Sequence, residues 1–549
     1  MARNKMCPIC YIKRLISKKV KIVDVFHEPP YDNGLTKPVM GWSSWNCFKN
    51  NIDDKQLYEV AEALVKTGLK DAGYRYVNVD DCWQANVRDE NGKWISDYQR
   101  FPKGMKDLIS RINALGLKVG MYSSNGTLTC EDLPASLGRE REDALTVAEW
   151  GAEFFKYDFC HHETYSKYAP LIAEVSISKI GSDEIISLSP DAAHLEGYAK
   201  VRQNKRLPKG VYISGLDKNM GSMTFENVLV AEDGEYSMVL TYYKYSDKYA
   251  KYIMYSVNGG VAEGIVCPPC KPQNYTARAQ AKIQLKKGNN VIKFFNPVST
   301  RADGAMLQYR LMGRALKEAA ERVARDRGEE VKPIAYSICE WGWNKPYLWG
   351  ASAGNQWRTT PDIIPFWPWI QLIYKHNLKL YKYAIKGGYN DPDMLEVGNG
   401  KLTEEENRSH FSLWCMMNVP LVLGNDVRKL VKDGKAIEND PILKIVSNRD
   451  LIALDQDELS KPCKKVRGGS IDVLAKPLID GVAVCLFNKS CMSKRASYDL
   501  RKLIKDEYVK LKNLPEYVIK DLWNGEEKTV NKIAVKLKKH DCAVFKIKY

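Results

Sequence analysis

The stretch Lys156-Tyr157-Asp158-Phe159-Cys160 closes a short apolar run and places a carboxylate two residues after a lysine. A strand of this length is typically buried, and its last residues project into the cleft above the sheet. A neighbouring cation keeps an aspartate ionised, so Asp158 is placed to act as a nucleophile. Taken alone, the pattern also fits a structural ion pair.

An apolar run followed by polar residues occurs eight times in the chain, and helical spacing of apolar residues lies between several of these runs. This repeat predicts an α/β fold, a (β/α)8 TIM barrel, which carries its chemistry at the carboxyl ends of the strands. A doubly wound open sheet is the alternative. The other seven runs begin at Val39, Tyr74, Leu117, Ile334, Trp357, Tyr389 and Leu421.

The spacing of the runs predicts the domain organisation. A wide gap between the fourth and fifth runs predicts a β-sandwich inserted after strand 4, because short alternating strands and Gly/Asn/Asp turns fill it. The strand-rich end of the chain predicts a separate antiparallel β-sandwich. The expected boundaries are an N-terminal extension (1–37), the barrel (38–173 and 309–448), the insert (174–308) and the C-terminal β-domain (449–549).

Composition narrows the classes of partner. The chain has 549 residues, a formal net charge of +16 and 44% hydrophobic residues. The basic excess is spread along the chain without aromatic interleaving, which favours solvated surface lysines over a nucleic-acid site. No apolar run is long enough for a membrane span, and residues 1–21 do not resemble a signal peptide. We therefore expect a cytoplasmic protein with no membrane partner.

Metal and cofactor signals are weak. Two cysteine pairs, Cys7/Cys10 and Cys267/Cys270, each have half of a zinc-ribbon spacing, and the second half is missing. Seven histidines in the whole chain argue against a His-rich metal centre and a Ser/His/Asp hydrolase. Gly-rich phosphate loops are absent from the sequence. We expect no metal and no cofactor.

The predicted barrel mouth combines acids with tryptophans. Carboxylates accept hydrogen bonds from sugar hydroxyls, and indole rings stack on the apolar face of a sugar. Two carboxylates hydrolyse a glycoside without a cofactor, one as nucleophile and one as proton donor. Core packing is the alternative role for about half of the tryptophans. These residue types predict a carbohydrate substrate.

Six motifs resemble glycoside hydrolase family 27, the α-galactosidase (melibiase) family of clan D. They stand in the family's order across the barrel segments, and the C-terminal domain resembles the family more loosely. The motifs are Met40-Gly41-Trp42-Ser43-Ser44-Trp45-Asn46, Val77-Asn78-Val79-Asp80-Asp81-Cys82-Trp83, Lys156-Tyr157-Asp158-x-Cys160, Cys339-Glu340-Trp341-Gly342, Trp357-Arg358-Thr359-x-x-Asp362-Ile363 and Asn390-Asp391-Pro392-Asp393-Met394-Leu395.

The resemblance implies a retaining exo-α-galactosidase with Asp158 as nucleophile and Asp362 as acid/base. It further implies that Cys130 and Cys160 form a disulfide, which a cytoplasmic location would put in doubt. Asp158 should stay ionised beside Lys156, whereas the surroundings of Asp362 should raise its pKa. The substrate-binding residues that the resemblance implies are Trp45, Asp80, Asp81, Tyr122, Cys130, Lys156, Cys160, Glu340, Trp341, Arg358, Asp393 and Met394.

Substrate preference rests on Glu340 in this interpretation. A glutamate beside the 2-position of the sugar suits a hydroxyl and would crowd a 2-acetamido group. The sequence thus favours an α-galactosidase over the family's α-N-acetylgalactosaminidases. The pair Asp80-Asp81 similarly argues against a β-L-arabinopyranosidase of the same family.

Other interpretations stay open. The insert resembles a carbohydrate-binding module of the family 35/6 type, although it contains no tryptophan, and walling the active site is its alternative role. The whole chain could instead be a non-catalytic glycan-binding relative or a barrel enzyme that uses a divalent metal. The natural glycan, the linkage and the oligomeric state, a homo-oligomer included, are not decided by the sequence.

Overall fold

The structure, a computed structural model, describes residues 19–162, 164–207, 209–243, 251–268 and 275–548. The chain divides into two compact units. The first contains residues 29–162 and 309–548, and the second contains 19–28 and 164–308. Of the predicted N-terminal extension, residues 1–18 lie outside the described residues, as do Cys7, Cys10 and Cys270 of the two cysteine pairs.

An eight-stranded parallel sheet forms the centre of the first unit. In chain order its strands follow one another around the sheet, and the eighth lies beside the first. The strands are β1 (Met40–Ser43), β2 (Tyr76–Asn78), β3 (Lys118–Ser124), β4 (Phe154–Asp158), β5 (Ala335–Cys339), β6 (Gln356–Arg358), β7 (Tyr389–Asp391) and β8 (Leu421–Leu423).

Leu395, just after β7, brings the two edges of this sheet together. It pairs with Leu423 of β8 in a parallel bridge. Its N–H donates to the Val422 carbonyl at 2.7 Å, and its own carbonyl accepts from the Gly424 N–H at 2.9 Å. The sheet is therefore curled onto itself, which confirms the predicted TIM-barrel fold and excludes the open sheet.

Helices connect the strands, as the repeat predicted. The helix after β1 begins with a capping box, in which the Asp53 side chain accepts from the Gln56 N–H and the Gln56 side chain accepts from the Asp53 N–H. The helices of the first unit are Ser44–Phe48, Asp54–Lys66, Leu69–Ala72, Gly104–Ala114, Glu140–Trp150, Trp367–Asn377, Glu404–Met417, Pro441–Val446 and Arg449–Asp455, and the helix Arg301–Arg327 leads into β5.

The second unit is an all-β structure of two antiparallel sheets, with six and five strands. Side chains from both sheets form one core, among them Ile172 and Val175 from the first sheet and Phe225 and Phe294 from the second. The strands are Leu171–Lys179, Ile185–Leu188, His194–Gly197, Lys200–Gln203, Val211–Ser214, Gly221–Val230, Gly234–Tyr243, Lys251–Val257, Glu263–Cys267, Thr276–Leu285 and Gly288–Phe295.

The predicted boundary of this insert at residue 174 falls inside the strand Leu171–Lys179, so the insert begins earlier than expected. The spacing of the apolar runs along the sequence indicates only how many residues are inserted, and not where the insertion begins. The strand itself pairs with Gly234–Tyr243 from Leu171 onward, and only this distant partner reveals where it starts.

The C-terminal β-domain packs on the helix Trp367–Asn377 and, through a hydrogen bond from Ser409 to the His540 carbonyl, on the helix Glu404–Met417. Its six-stranded sheet comprises Lys464–Arg467, Ile471–Leu478, Gly481–Asn488, Cys542–Lys548, Tyr517–Asp521 and Glu527–Val530, and its two-stranded sheet comprises Lys494–Asp499 and Lys532–Leu537. Trp367 lies edge-on to the Phe487 ring, with centroids 6.0 Å apart. The Tyr374 hydroxyl donates to Asp472 Oδ2 at 3.1 Å. Among the described residues, no helix is both long enough and apolar enough to cross a membrane.

Candidate active site

The carboxyl ends of the barrel strands surround a hollow of about 380 Å³, referred to here as the catalytic hollow. It lies where the fold predicts chemistry, above the ends of parallel strands. Its walls come from the segments that follow seven of the eight strands, β8 being the exception. The lining residues are Trp45, Asn46, Asp80, Asp81, Tyr122, Cys130, Lys156, Asp158, Trp341, Arg358, Asp362, Asp393 and Met394.

Asp158 is the last residue of β4 and is 4% exposed. Its Oδ1 accepts from the Phe159 N–H at 2.8 Å, and its Oδ2 lies 3.7 Å from Lys156 Nζ. Burial raises the pKa of Asp158 above its ordinary value, against the lowering effect of Lys156. One oxygen is therefore held by the backbone, and the other lies close to the lysine.

Lys156 bridges two carboxylates at the floor of the hollow. Its Nζ lies 2.8 Å from Asp80 Oδ2 and 5.1 Å from the centre of the Tyr122 ring. Burial alone would lower the pKa of Lys156, but Asp80 and Asp158 raise it well above the ordinary value. The ammonium therefore keeps its charge inside the barrel.

Asp81, next to Asp80, is held by backbone donors. Its Oδ1 accepts from the Cys82 N–H and its Oδ2 from the Glu131 N–H, both at 2.9 Å. Burial raises the pKa of Asp81 to about 7, with a smaller contribution from the adjacent Asp80 charge. These bonds fix the carboxylate that lines the hollow.

Asp362 stands at the mouth of the hollow, with its side chain 62% exposed. Arg358 Nη2 lies 3.0 Å from Asp362 Oδ1 and 2.8 Å from Asp393 Oδ2, so one guanidinium joins two acids. Desolvation raises the pKa of Asp362, but Arg358 and then Lys156 lower it, and the net shift is downward. The prediction that its surroundings raise this pKa is wrong, because the arginine favours the ionised form.

Asp393 is fixed in an unusual backbone conformation. Its φ of 81° lies in the left-handed region, which few residues other than glycine adopt. Its N–H donates to Asp391 Oδ1 at 2.8 Å, and its carbonyl accepts from Trp414 Nε1 at 2.9 Å. These two bonds turn the Asp393 carboxylate toward Arg358.

Cys130 and Cys160 form the disulfide that the resemblance implied. The bond joins the segment after β3 to the segment after β4. Among the described residues, Cys130, Asp158 and Cys160 form the only group spaced to hold a metal ion. With both sulfurs in the disulfide, this group has no thiolate to offer, so its donor set does not fit a metal.

Some of the tryptophans line the catalytic hollow, and others are packed in the core of the protein. Trp45 and Trp341 line the catalytic hollow. Trp42, Trp83 and Trp357 are fully buried and donate their indole N–H groups to protein oxygens. Packing therefore accounts for these three.

Two predicted binding residues, Cys160 and Glu340, do not line the hollow. Glu340 is fully buried. Its Oε2 accepts from the Asn344 N–H at 2.9 Å, and its Oε1 accepts from the Asn344 side-chain amide. The expected contact between Glu340 and the 2-position of the sugar stays a prediction, and the structure shows its carboxylate engaged by Asn344.

Asn46 is a lining residue that the sequence interpretation missed. It stands inside the first motif, but nothing local distinguishes its side chain. Its Nδ2 donates to Glu396 Oε1 at 2.6 Å, a partner 350 positions away. This hydrogen bond to Glu396 is apparent only in the folded chain.

A barrel with two separate carboxyls facing one polar hollow has the arrangement of a glycoside hydrolase. Comparison with known proteins gives the family. The model of the α-galactosidase A family matches residues 37–187 and 271–457, and that of the α-galactosidase C-terminal β-sandwich domain matches 468–547.

Individual relatives agree with the family models. The α-galactosidase of Cyamopsis tetragonoloba is 30% identical over 94% of this chain and 87% of its own length. The probable α-galactosidase B of Aspergillus oryzae is 30% identical over 92% of each chain. The protein is thus a glycoside hydrolase, and it belongs to the α-galactosidase family, glycoside hydrolase family 27.

Solved structures match the fold. α-Galactosidase I from Mortierella vinacea superposes with a TM-score of 0.63 at 23% identity, covering 94% of this chain and 98% of its own. The α-galactosidase of Saccharomyces cerevisiae gives 0.61 at 21% identity, covering 95% and 99%.

Proposed function

We propose that the protein is a retaining exo-α-galactosidase that removes terminal α-linked galactose from oligosaccharides or glycoconjugates. The observation that carries this proposal is that Asp158 and Asp362, distant in sequence, line the same hollow together with Lys156 and Arg358. Retaining hydrolysis requires two carboxyls that act on one anomeric carbon.

In the first step, an oxygen of Asp158 attacks the anomeric carbon while the bond to the leaving oxygen breaks. Asp362 gives its proton to that oxygen, and a galactosyl ester of Asp158 remains. The electron pair of the broken bond leaves with the aglycone. The Phe159 N–H holds one Asp158 oxygen, and the oxygen nearer Lys156 remains available for the attack.

In the second step, water attacks the same carbon from the opposite face. Asp362, now ionised, takes one proton from that water, and Asp158 leaves as a free carboxylate. Two inversions give net retention, and both acids return to their starting state. The exposed position of Asp362 at the mouth suits this exchange with solvent.

Substrate binding must raise the pKa of Asp362 for the first step. Arg358 lowers the pKa of this carboxyl and so favours its ionised form. A bound sugar covers the mouth and removes water from Asp362, and a sugar hydroxyl that engages Arg358 weakens its hold on the acid. Both changes favour the protonated form.

The polar floor supports a terminal galactose. Asp80, Asp81 and Lys156 place two acceptors and one donor side by side, as the axial 4-hydroxyl and the 6-hydroxyl of galactose require.

Variants of the two acids test the proposal. Asp158→Asn should lose several orders of magnitude in kcat on p-nitrophenyl α-galactoside, because an amide is not a nucleophile here. Asp362→Asn should lose far more activity on an α-galactoside with a sugar leaving group than on the p-nitrophenyl substrate, which departs without a proton. The matched control Asp480→Asn, an exposed acid of the C-terminal domain, should keep both activities. Full activity of Asp158→Asn would contradict the assignment of Asp158 as the nucleophile.

A substrate panel tests the sugar preference. Because Glu340 is engaged by Asn344, it does not by itself exclude a 2-acetamido group, and an α-N-acetylgalactosaminidase is the second candidate. We expect p-nitrophenyl α-galactoside to be hydrolysed faster than the α-N-acetylgalactosaminide and the β-L-arabinopyranoside. A faster rate on either of these two would reassign the substrate.

A further inference from the structure

Asp391, the last residue of β7, is a buried acid that takes no part in the proposed mechanism. It is 7% exposed, and it lines a second hollow inside the barrel. Lys156, Arg358 and Asp393 are among the residues that line both this inner hollow and the catalytic one, whereas Asp391 does not line the catalytic hollow. Asp391 is therefore close to the catalytic groups without facing the substrate.

Neighbours on both sides hold the Asp391 residue in place. Its Oδ1 accepts from the Asp393 N–H at 2.8 Å, and its Oδ2 accepts from Gln356 Nε2, on the adjacent strand β6, at 3.3 Å. Its backbone carbonyl accepts from the Thr359 N–H at 2.9 Å. Asp391 is thus anchored to β6 on one side and to the turn after β7 on the other.

The bond from the Asp393 N–H closes a tight turn over Asp391-Pro392-Asp393. Aspartate side chains often accept from the N–H two residues further on, in an Asx turn. Asp393 has a φ of 81°, a backbone conformation that persists only where the surroundings hold it. Asp391 therefore supplies one of the bonds that keep Asp393 in this conformation.

Asp393 in turn competes with the proposed acid/base for one guanidinium. Arg358 Nη2 lies 2.8 Å from Asp393 Oδ2 and 3.0 Å from Asp362 Oδ1. Asp393 Oδ2 also accepts from the N–H of Ile363, the residue after Asp362, at 2.8 Å. The two acids share one nitrogen of Arg358, so the place of Asp393 decides how strongly that nitrogen acts on Asp362.

Several strands bring charged groups to Asp362. The titratable and charged groups that face it are Arg358, Lys156, Lys49, Asp393, Asp158 and Cys339. Burial raises the pKa of Asp362, and among the side chains that oppose this rise Arg358 has the largest effect. Asp391 itself faces Arg358, Asp393 and Lys156. A change at Asp391 thus reaches Asp362 through Arg358 and Asp393.

We propose that Asp391 is a positioning residue of this hydrolase, which accepts from the Asp393 N–H and so keeps Asp393 against Arg358, leaving Arg358 shared between Asp393 and Asp362. The inference rests on the proposed function, in which Asp362 gives a proton to the leaving oxygen. If Asp393 moves away, Arg358 pairs with Asp362 alone, and this undivided pairing stabilises the ionised form of Asp362. Protonation of the leaving oxygen then becomes harder.

The pH dependence of kcat for melibiose, an α-galactoside with a glucose leaving group, tests the proposal. Its basic limb reports the loss of the acid/base proton in the substrate complex. Asp391→Ala should move this limb to lower pH by about one unit, because an undivided ion pair favours the ionised acid. Asp391→Asn keeps an acceptor for the Asp393 N–H and should restore the wild-type limb. No such shift is expected with p-nitrophenyl α-galactoside, whose leaving group departs without a proton.

A second turn of the same kind provides the matched control. Asp499, in the C-terminal domain, accepts from the Arg501 N–H at 3.1 Å. Asp499→Ala breaks this bond far along the chain from the hollow and should change neither kcat nor the position of the basic limb.

The outcomes separate this role from the proposed function. If the wild-type protein hydrolyses melibiose but the basic limb does not move in Asp391→Ala, or moves as far in Asp391→Asn, the positioning role alone is overturned. If the wild-type protein hydrolyses neither galactoside, both proposals fall. Should Asp391→Ala not fold, a crystal structure of Asp391→Asn decides the matter. An Asp393 N–H that still donates to the side chain at position 391, with Asp393 on Arg358, supports the role, and Asp393 in place without that bond overturns it.

Discussion

A single ammonium group shapes the chemistry at the floor of the catalytic hollow. Lys156 lies between Asp80 and Asp158, at 2.8 Å and 3.7 Å from their nearest oxygens. Desolvation raises the pKa of Asp158, and the lysine opposes that rise. As the proposed nucleophile, Asp158 depends on this charge to be ionised at the pH where the enzyme works.

Replacing Lys156 with methionine should therefore change the pH profile. In the proposed mechanism the ionised form of Asp158 is the active one, and loss of the ammonium raises the pKa of Asp158 further. The acidic limb of kcat/KM should move to higher pH, and the maximum should fall about tenfold to a hundredfold through the lost charge-assisted hydrogen bond. The control Lys66→Met alters an exposed helical lysine and should leave the profile in place. An unchanged acidic limb in Lys156→Met would show that the lysine does not set the ionisation of Asp158.

At the residue scale, the sequence predicted most of the hollow because its residues stand at strand ends within recognisable motifs. It missed Asn46, whose place depends on Glu396, and the contact of Glu340 with the sugar stays a prediction. It failed as well for the direction of the Asp362 pKa, because the guanidinium of Arg358 reaches the carboxyl only in the folded site.

At the element scale, the helix Glu404–Met417 holds the loop that follows β7. Trp414 Nε1 donates to the Asp393 carbonyl, and His410 Nε2 accepts from the Glu396 N–H, both at 2.9 Å. The His410 ring is fully buried, and burial lowers its pKa to about 3. The imidazole is therefore neutral and serves as a fixed acceptor.

This buried histidine predicts a pH-dependent stability. Unfolded histidine takes up a proton near pH 6.5, whereas the folded ring resists it until about 3, so stability is lost as the pH falls between these values. The free energy of unfolding should fall by up to about 1.4 kcal/mol per pH unit through this group. Urea unfolding of the wild-type protein and of His410→Gln at pH 8, 6 and 5 measures this loss of stability. The difference in free energy of unfolding between the two proteins should be constant above pH 7 and should change in favour of the variant below pH 6. A difference that stays constant at every pH would contradict the buried, neutral state assigned to His410.

The helix Glu404–Met417 begins with a capping box, in which the Thr403 side chain accepts from the Glu406 N–H and the Glu406 side chain accepts from the Thr403 N–H. The helix before β5 begins at Arg301. Gly304, in its first turns, weakens the helical pattern. A β-carbon at that position would lie 2.4 Å from the Tyr165 carbonyl oxygen, and this close approach requires the glycine.

At the scale of the whole molecule, the chain contains two compact units with separate cores. The insert has its own cluster of buried side chains, and the C-terminal domain is part of the barrel unit through contacts such as Trp367 with Phe487. The sequence predicted an inserted β-sandwich and a C-terminal β-domain separate from the barrel, whereas the structure places that domain and the barrel in one compact unit. The sequence placed the start of the insert too late, because strand pairing rather than spacing fixes that boundary.

Two compact units predict two unfolding events. Because each unit buries its own apolar side chains, scanning calorimetry should resolve two transitions rather than one. Ile292→Ala, in the core of the insert, should lower one transition and cost about 2–5 kcal/mol in that unit. The midpoint temperature of the other transition should not change. A single transition that moves as a whole with Ile292→Ala would show that the units unfold together.

The central claim is that Asp158 forms a covalent bond with the anomeric carbon and that water then replaces it. Proton NMR of p-nitrophenyl α-galactoside hydrolysis, recorded before the sugar equilibrates, shows which anomer of galactose is released first. Two displacements predict α-galactose as the first product. β-Galactose as the first product would mean that water attacks the substrate directly, and it would contradict the role assigned to Asp158.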